Sequence, residues 1–104
     1  MATYVIDAIQ RDFDGEVSAV RWGLAKPNVN GWAVAPEPAP VEAVIAALDA
    51  GDTVTTRHMV GGGKYVAGQN VCKKILKGGR ETIQSVAPSS DAPGLRGVDE
   101  LPDF

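Results

Sequence analysis

Residues 3–24, TYVIDAIQRDFDGEVSAVRWGL, decide the fold. The flanks 3–11 and 16–24 are rich in β-branched and aromatic residues, and Asp14-Gly15 between them suits a tight turn with positive φ. A β-hairpin is therefore expected at the start of the chain. With a two-residue turn, Phe13 faces Glu16, Ile9 faces Val20, Asp7 faces Trp22 and Val5 faces Leu24. Val5, Ile9, Val20, Trp22 and Leu24 then make a core face, with Asp7 as its misfit. Either the register slips by one residue, or a carboxylate sits beside an indole.

Outward from this hairpin, KPNVNG (26–31) is turn chemistry and GWAVA (31–35) reads as a third strand. The proline-rich PEPAP (36–40) cannot continue a central strand. It leads into VEAVIAALDAG, where Val41, Val44, Ile45 and Leu48 form one apolar stripe of a helix. Pro40 suits the first helical turn and Gly51 the C-terminal cap, and the alanines between let the helix lie close to a sheet.

After the helix, DTVTTRHM (52–59) reads as a strand. A second follows in KYVAG…NVCKKIL, broken near Ala67-Gly68-Gln69-Asn70 by a bulge or bend. Gly78-Gly79 turns the chain into RETIQSV, with Leu76 facing Glu81 and Lys74 facing Ile83. The expected architecture is α+β, in the order β-β-β-α-β-β-β. An antiparallel sheet of five to six strands carries one helix packed across it. Residues 1–86 would form this domain, and 87–104 a loop and acidic-apolar tail docked on it through Leu101 and Phe104.

A chain of 104 residues is one small domain, and 44% hydrophobic residues imply a real core. Cys72 is the only cysteine, so no internal disulfide can form. The start, MATYVIDAIQRD, lacks a basic segment followed by a long apolar stretch, so no signal peptide is expected. No apolar run is long enough to span a bilayer, and a cytoplasmic protein without membrane contact is expected.

The net charge of −3 conceals a block. Residues 53–80 hold six basic side chains and no acid: Arg57, Lys64, Lys73, Lys74, Lys77 and Arg80. Within this block RHMVGGGKYVAG (57–68) invites comparison with a phosphate-binding loop. A Walker-type loop needs Gly, four residues, then Gly-Lys-Ser/Thr and a helix. Here Tyr65 follows Lys64, His58 stands where the first Gly should be, and a β pattern follows. The glycines are adjacent, not spaced as GxGxxG. The stretch reads as a turn between two strands whose free N–H groups and lysine could still touch an anion.

Catalytic chemistry is hard to find. His58 and Cys72 suggest a dyad, but on the expected hairpin His58 faces Ala67 and Cys72 faces Thr53. Five residues of strand separate them by roughly 16 Å, beyond hydrogen-bond reach. One His and one Cys do not make a zinc site. Asp12, Asp14 and Glu16 lack the glycine placement and terminal Glu of a calcium loop. Ser89-Ser90 lies in a linker and no G-x-S-x-G elbow is present. The sequence points to no enzyme, metal or cofactor.

RDFDGEVSAVRW, VIAALDAGDTVTT and ETIQSV with the terminal VDELPDF together resemble a family of small bacterial single-domain proteins, a domain-of-unknown-function group. The resemblance covers nearly the whole chain and implies a bacterial, single compact domain. Members tend to end in a Leu-x-x-Leu-Pro-acid-aromatic stretch, matched here by Leu101, Pro102, Asp103 and Phe104, with Val98 in place of the usual leucine. It implies no activity. The acidic, Phe-terminated end is also similar to the partner-recruiting tail of bacterial single-stranded DNA-binding proteins, although Asp103 separates Pro102 from Phe104.

These readings favour a non-catalytic binding or adaptor domain. A first alternative is weak nucleic-acid binding, with Arg57, Lys64, Lys73, Lys74, Lys77 and Arg80 on phosphates and Tyr65, with Trp22 or Trp32, stacking on bases. The pI near 5.0 and the alternation of Lys73 and Lys74 across a strand disfavour it. A second is a protein-interaction domain or homodimer that pairs through an exposed edge strand. A third is a small-molecule site around Asp7 and Trp22 or under the glycine loop.

Overall fold

The computed structural model describes residues 2–27, 31–86 and 96–104. Positions 28–30 of the expected turn, and the 87–95 stretch with Ser89-Ser90 and Leu95, lie outside the described residues. The described chain forms β1 (Thr3–Arg11), β2 (Val17–Ala25), β3 (Trp32–Pro40), α1 (Val41–Asp49), β4 (Thr53–Gly61), β5 (Lys64–Ala67), β6 (Val71–Ile75) and β7 (Glu81–Ser85). A single 3-10 turn, Val98–Glu100, follows. The α+β class, the order along the chain and the single helix agree with the sequence pattern.

The break at Ala67–Asn70 is a full departure: β5 ends at Ala67, and β6 starts a second sheet. Five strands run in the order β3-β2-β1-β4-β5, and β6-β7 make a separate pair. The single antiparallel sheet of five to six strands that was expected is thus two sheets, and the large one is mixed, because β1 and β4 are parallel. The cause is α1, which carries the chain from edge strand β3 across the sheet and sets β4 down beside β1. Only a crossover connection can join strands running in the same direction. β3 includes Pro36, Pro38 and Pro40, which an edge strand tolerates because one side of its backbone needs no ladder bond.

Both hairpin registers differ from expectation by one residue in places. Asp12 N donates to Glu16 O at 2.8 Å, so the first turn holds three residues, Phe13–Gly15, rather than two. Asp12 Oδ1 accepts the N–H groups of Asp14 and Glu16 and sets that loop. Ile9 pairs with Val20 as expected, but Ala8 pairs with Arg21 and Ile6 with Trp22. Asp7 is the extra residue of a β-bulge, so the register slips and the carboxylate leaves the core face. Ile6 takes the core position assigned to Val5. Likewise Leu76 N donates to Arg80 O at 2.7 Å, and Glu81 faces Ile75 rather than Leu76.

One face of the large sheet, α1, the β6-β7 pair and the C-terminal segment enclose the core. Ile6, Ile9, Val20, Val44, Val54 and Val98 are all at most 1% exposed. Each such aliphatic side chain contributes about 1.5–3 kcal/mol by leaving water. Val41, Val44, Ile45 and Ala47 are the buried helix face, with Leu48 packed partly against it. Thr82 Oγ1 donates to Val17 O at 2.8 Å and ties the small sheet to the large one. Leu101 is buried beside Val98, and Ile9 N donates to Pro102 O at 3.0 Å, so residues 98–103 close the core.

Candidate functional site

The bulge at Asp7 turns its carboxylate onto the outer face of the large sheet, away from α1. There Arg21 Nε donates to Asp7 Oδ1 at 2.8 Å and Arg57 Nη2 donates to Oδ2 at 2.9 Å. The Asp7 side chain is 2% exposed, against 40% for Arg21 and 26% for Arg57. A carboxylate so deeply covered requires partners on both oxygens, and β2 and β4 each supply one. The hydrogen bond to Asp7 raises the pKa of Arg21, burial opposing it only in part.

Alternation along β4 explains why Arg57 points outward. Val54, Thr56 and His58 are buried on the core side, so Thr55 and Arg57 face the other way. The Arg57 guanidinium carbon lies 3.9 Å from the Tyr65 ring centroid and 4.8 Å from that of Trp32. The Trp32 ring rests on Gly23, where a Cβ would stand 2.7 Å from it. Arg57 thus contacts an aromatic ring on either side, Tyr65 on β5 and Trp32 on β3. Arg57 Nε is buried beside these rings, with no acceptor among the described residues.

The β4–β5 hairpin continues outward from the layer. Gly61, Gly62 and Gly63 all have positive φ, and β5 follows directly, so the three glycines form a turn between two strands and lead into no helix. Every residue of β5 is exposed, and β5 is the outer strand of its sheet. Around it Met59 (55%), Val60 (48%), Val66 (45%) and Tyr65 (37%) expose apolar surface. Tyr65 pairs with Met59 on the Arg57 side, while Val66 pairs with His58 on the other.

The six basic residues do not share a surface. Arg57, Lys64 and Tyr65 belong to the β4–β5 hairpin, whereas Lys73 and Lys74 lie on β6, and Lys77 and Arg80 flank the β6–β7 turn. Lys73 pairs with Glu81 (2.9 Å) and Asp49 (3.1 Å), and these hydrogen bonds, Glu81 first, raise its pKa. Lys74 pairs with Glu16 at 3.4 Å, and Arg80 with Asp12 at 3.3 Å and Asp14 at 3.7 Å. Among the described residues, Lys64 and Lys77 have no carboxylate partner. In the tail Leu101 faces the core, Pro102 offers its carbonyl to β1, and Phe104 is 38% exposed.

His58 is 2% exposed, with Nε2 3.2 Å from Thr56 Oγ1. Burial lowers its pKa, and a hydrogen bond to the Arg96 backbone opposes the shift. It faces Val66, not Ala67, and Cys72 pairs with Gln84 on the small sheet, not with Thr53. Trp22 stacks on Tyr4 (4.3 Å, 19°) at the rim of the core, on the face opposite Asp7, so the two do not share a site.

Among the described residues no three His, Cys, Asp or Glu side chains are grouped to hold a metal ion, and no helix is long and apolar enough to cross a membrane. Sequence reasoning missed the Asp7–Arg21–Arg57 knot and the role of Trp32. The available signal was Asp7 itself, a charge on an otherwise apolar hairpin face. Compared with known proteins, the chain matches no family model, no curated protein and no solved structure.

Proposed function

We propose that this is a non-catalytic protein-interaction domain that binds a strand of another protein along the edge of β5. The observation that carries the reading is an outer strand exposed at every position and surrounded by Met59, Val60, Tyr65 and Val66. An unpaired strand presents a row of N–H and C=O groups to any extended segment, and apolar neighbours add specificity. The other outer strand of the sheet, β3, is blocked by three prolines. The hairpin is held for this role by the stack of Tyr65 on Arg57, anchored on Asp7, which lowers the ordering cost of binding. Four of the six cations proposed for nucleic acid are engaged by carboxylates, which weighs against that reading.

Hydrogen exchange with strand-forming peptides of mixed sequence tests the proposal. Slowed exchange at 64–67 with no change at 32–40 is expected. Protection elsewhere, or none at any peptide concentration, would remove strand addition at β5.

A further inference from the structure

Resting on strand addition at β5, we infer that the occupant is an acidic-apolar extended segment of a different protein, not a second copy of this chain. The edge has a defined chemistry on each side. Tyr65 and Ala67 point to the Arg57 side of the sheet, and Lys64 and Val66 to the other, because side chains alternate. A partner strand therefore meets a cation at one end and apolar surface over the next two positions. In the antiparallel direction it reads as two apolar residues opposite Val66 and Tyr65, then an acid opposite Lys64. In the parallel direction the acid comes first.

The charge of the hairpin selects the partner's sign. From Thr53 to Ala67 there are two cations, Arg57 and Lys64, and no acid. Arg57 shares Asp7 with Arg21, so that cluster of two cations and one anion is itself positive. Lys64 has no carboxylate of its own among the described residues, unlike Lys73 and Lys74 on β6.

A second copy cannot supply what is missing. A two-fold axis through the shared edge keeps each face on its own side, so β5 pairs with itself centred on a residue. Centred on Tyr65, Lys64 faces Val66 of the other copy. Centred on Val66, it faces Gly68. Centred on Lys64 or Ala67, it faces the other copy's lysine or Asn70, so in each register the lysine finds no acid opposite it and the two positive hairpins are brought together. An acid on a foreign strand, placed beside Lys64, resolves both defects.

The test is an amide-resolved NMR titration with two peptides that differ only in Glu or Lys at the position after two apolar residues. The full chain and Lys64→Glu are compared. The Glu peptide is expected to bind about fivefold tighter to the natural chain, with the order reversed in Lys64→Glu and the difference reduced by salt. Shifts should centre on 64–67. Equal binding of both peptides at β5 would overturn the charge inference and leave strand addition standing. Broadening at 64–67 that grows with protein concentration, with no peptide response, would show a second copy as the occupant. No response of 64–67 to either peptide or to concentration would defeat both the inference and the strand reading beneath it.

Discussion

The two edges of the five-stranded sheet are built by opposite rules. β3 places Pro36, Pro38 and Pro40 along its outer backbone and has Glu37 among them. β5 is four residues without proline, with a lysine only at its turn end and exposed apolar side chains beside it. An edge without protection exposes a chain to unwanted pairing, so sheets usually guard both sides. Here one edge is guarded, and among the described residues the other is left open and backed by the Tyr65–Arg57 contact. The contrast is what the proposed strand addition at β5 rests on: the outer strand without proline is backed by Tyr65 on Arg57, and Arg57 by Asp7.

The largest effect should come from removing the brace. Asp7→Ala leaves Arg21 and Arg57 facing one another without their shared carboxylate and should lower stability by about 2–3 kcal/mol, the cost being limited because both arginines reach solvent. Urea unfolding measures this, and β5 amides should exchange faster than β3 amides in the folded variant. A loss under about 0.5 kcal/mol would mean the knot does not support the sheet.

Gly23→Ala comes next. A methyl group there would strike the Trp32 ring and the Val34 carbonyl, so the ring must lift from the sheet and the edge strand shift. A loss of about 1–3 kcal/mol and an altered tryptophan emission are expected. Unchanged emission would show that Trp32 is not held as described.

Replacing Pro36 and Pro38 together by valine makes β3 resemble β5. Stability should change by under about 1 kcal/mol, while sedimentation should reveal self-association that grows with concentration. A double variant that stays as dispersed as the parent would mean that something other than proline guards this edge. Tyr65→Ala should cost about 0.5–1 kcal/mol through loss of the cation–π contact, and should loosen β5 without disturbing α1.

His58 supplies a pH test. Burial lowers its pKa in the folded chain below the unfolded value near 6.5. Its contribution to stability is therefore complete above that value and is lost as pH falls through it toward the folded pKa, where the unfolded chain binds the extra proton. The chain has a single histidine, so a falling urea midpoint between about pH 7.5 and 5.5 reports on it, and His58→Gln should flatten the slope. A slope unchanged by the substitution would place the titration elsewhere.

Much of the fold was legible because its signals are local. The hydrophobic period of 41–48, the alternation in 3–24 and the glycine turns depend on neighbours a few residues apart, and they marked the elements in order. The prolines of 36–40 argued against a central strand, and β3 is indeed at the edge. The candidate site was legible only in part. Arg57, Lys64 and Tyr65 were singled out for their charge and aromaticity, but the partner of Arg57 lies fifty residues away in β1.

Composition and periodicity alone determined the class, the single helix and the presence of an acid where the core should be. Tertiary structure decided what that acid does. A bulge moves a side chain to the other face of a sheet at the cost of one unpaired residue, and nothing in the local pattern distinguishes it from a slip in the turn. The parallel pairing of β1 with β4 likewise depends on where a helix sets the chain down, and it is this pairing that brings Arg57 to Asp7 and leaves β5 at the edge.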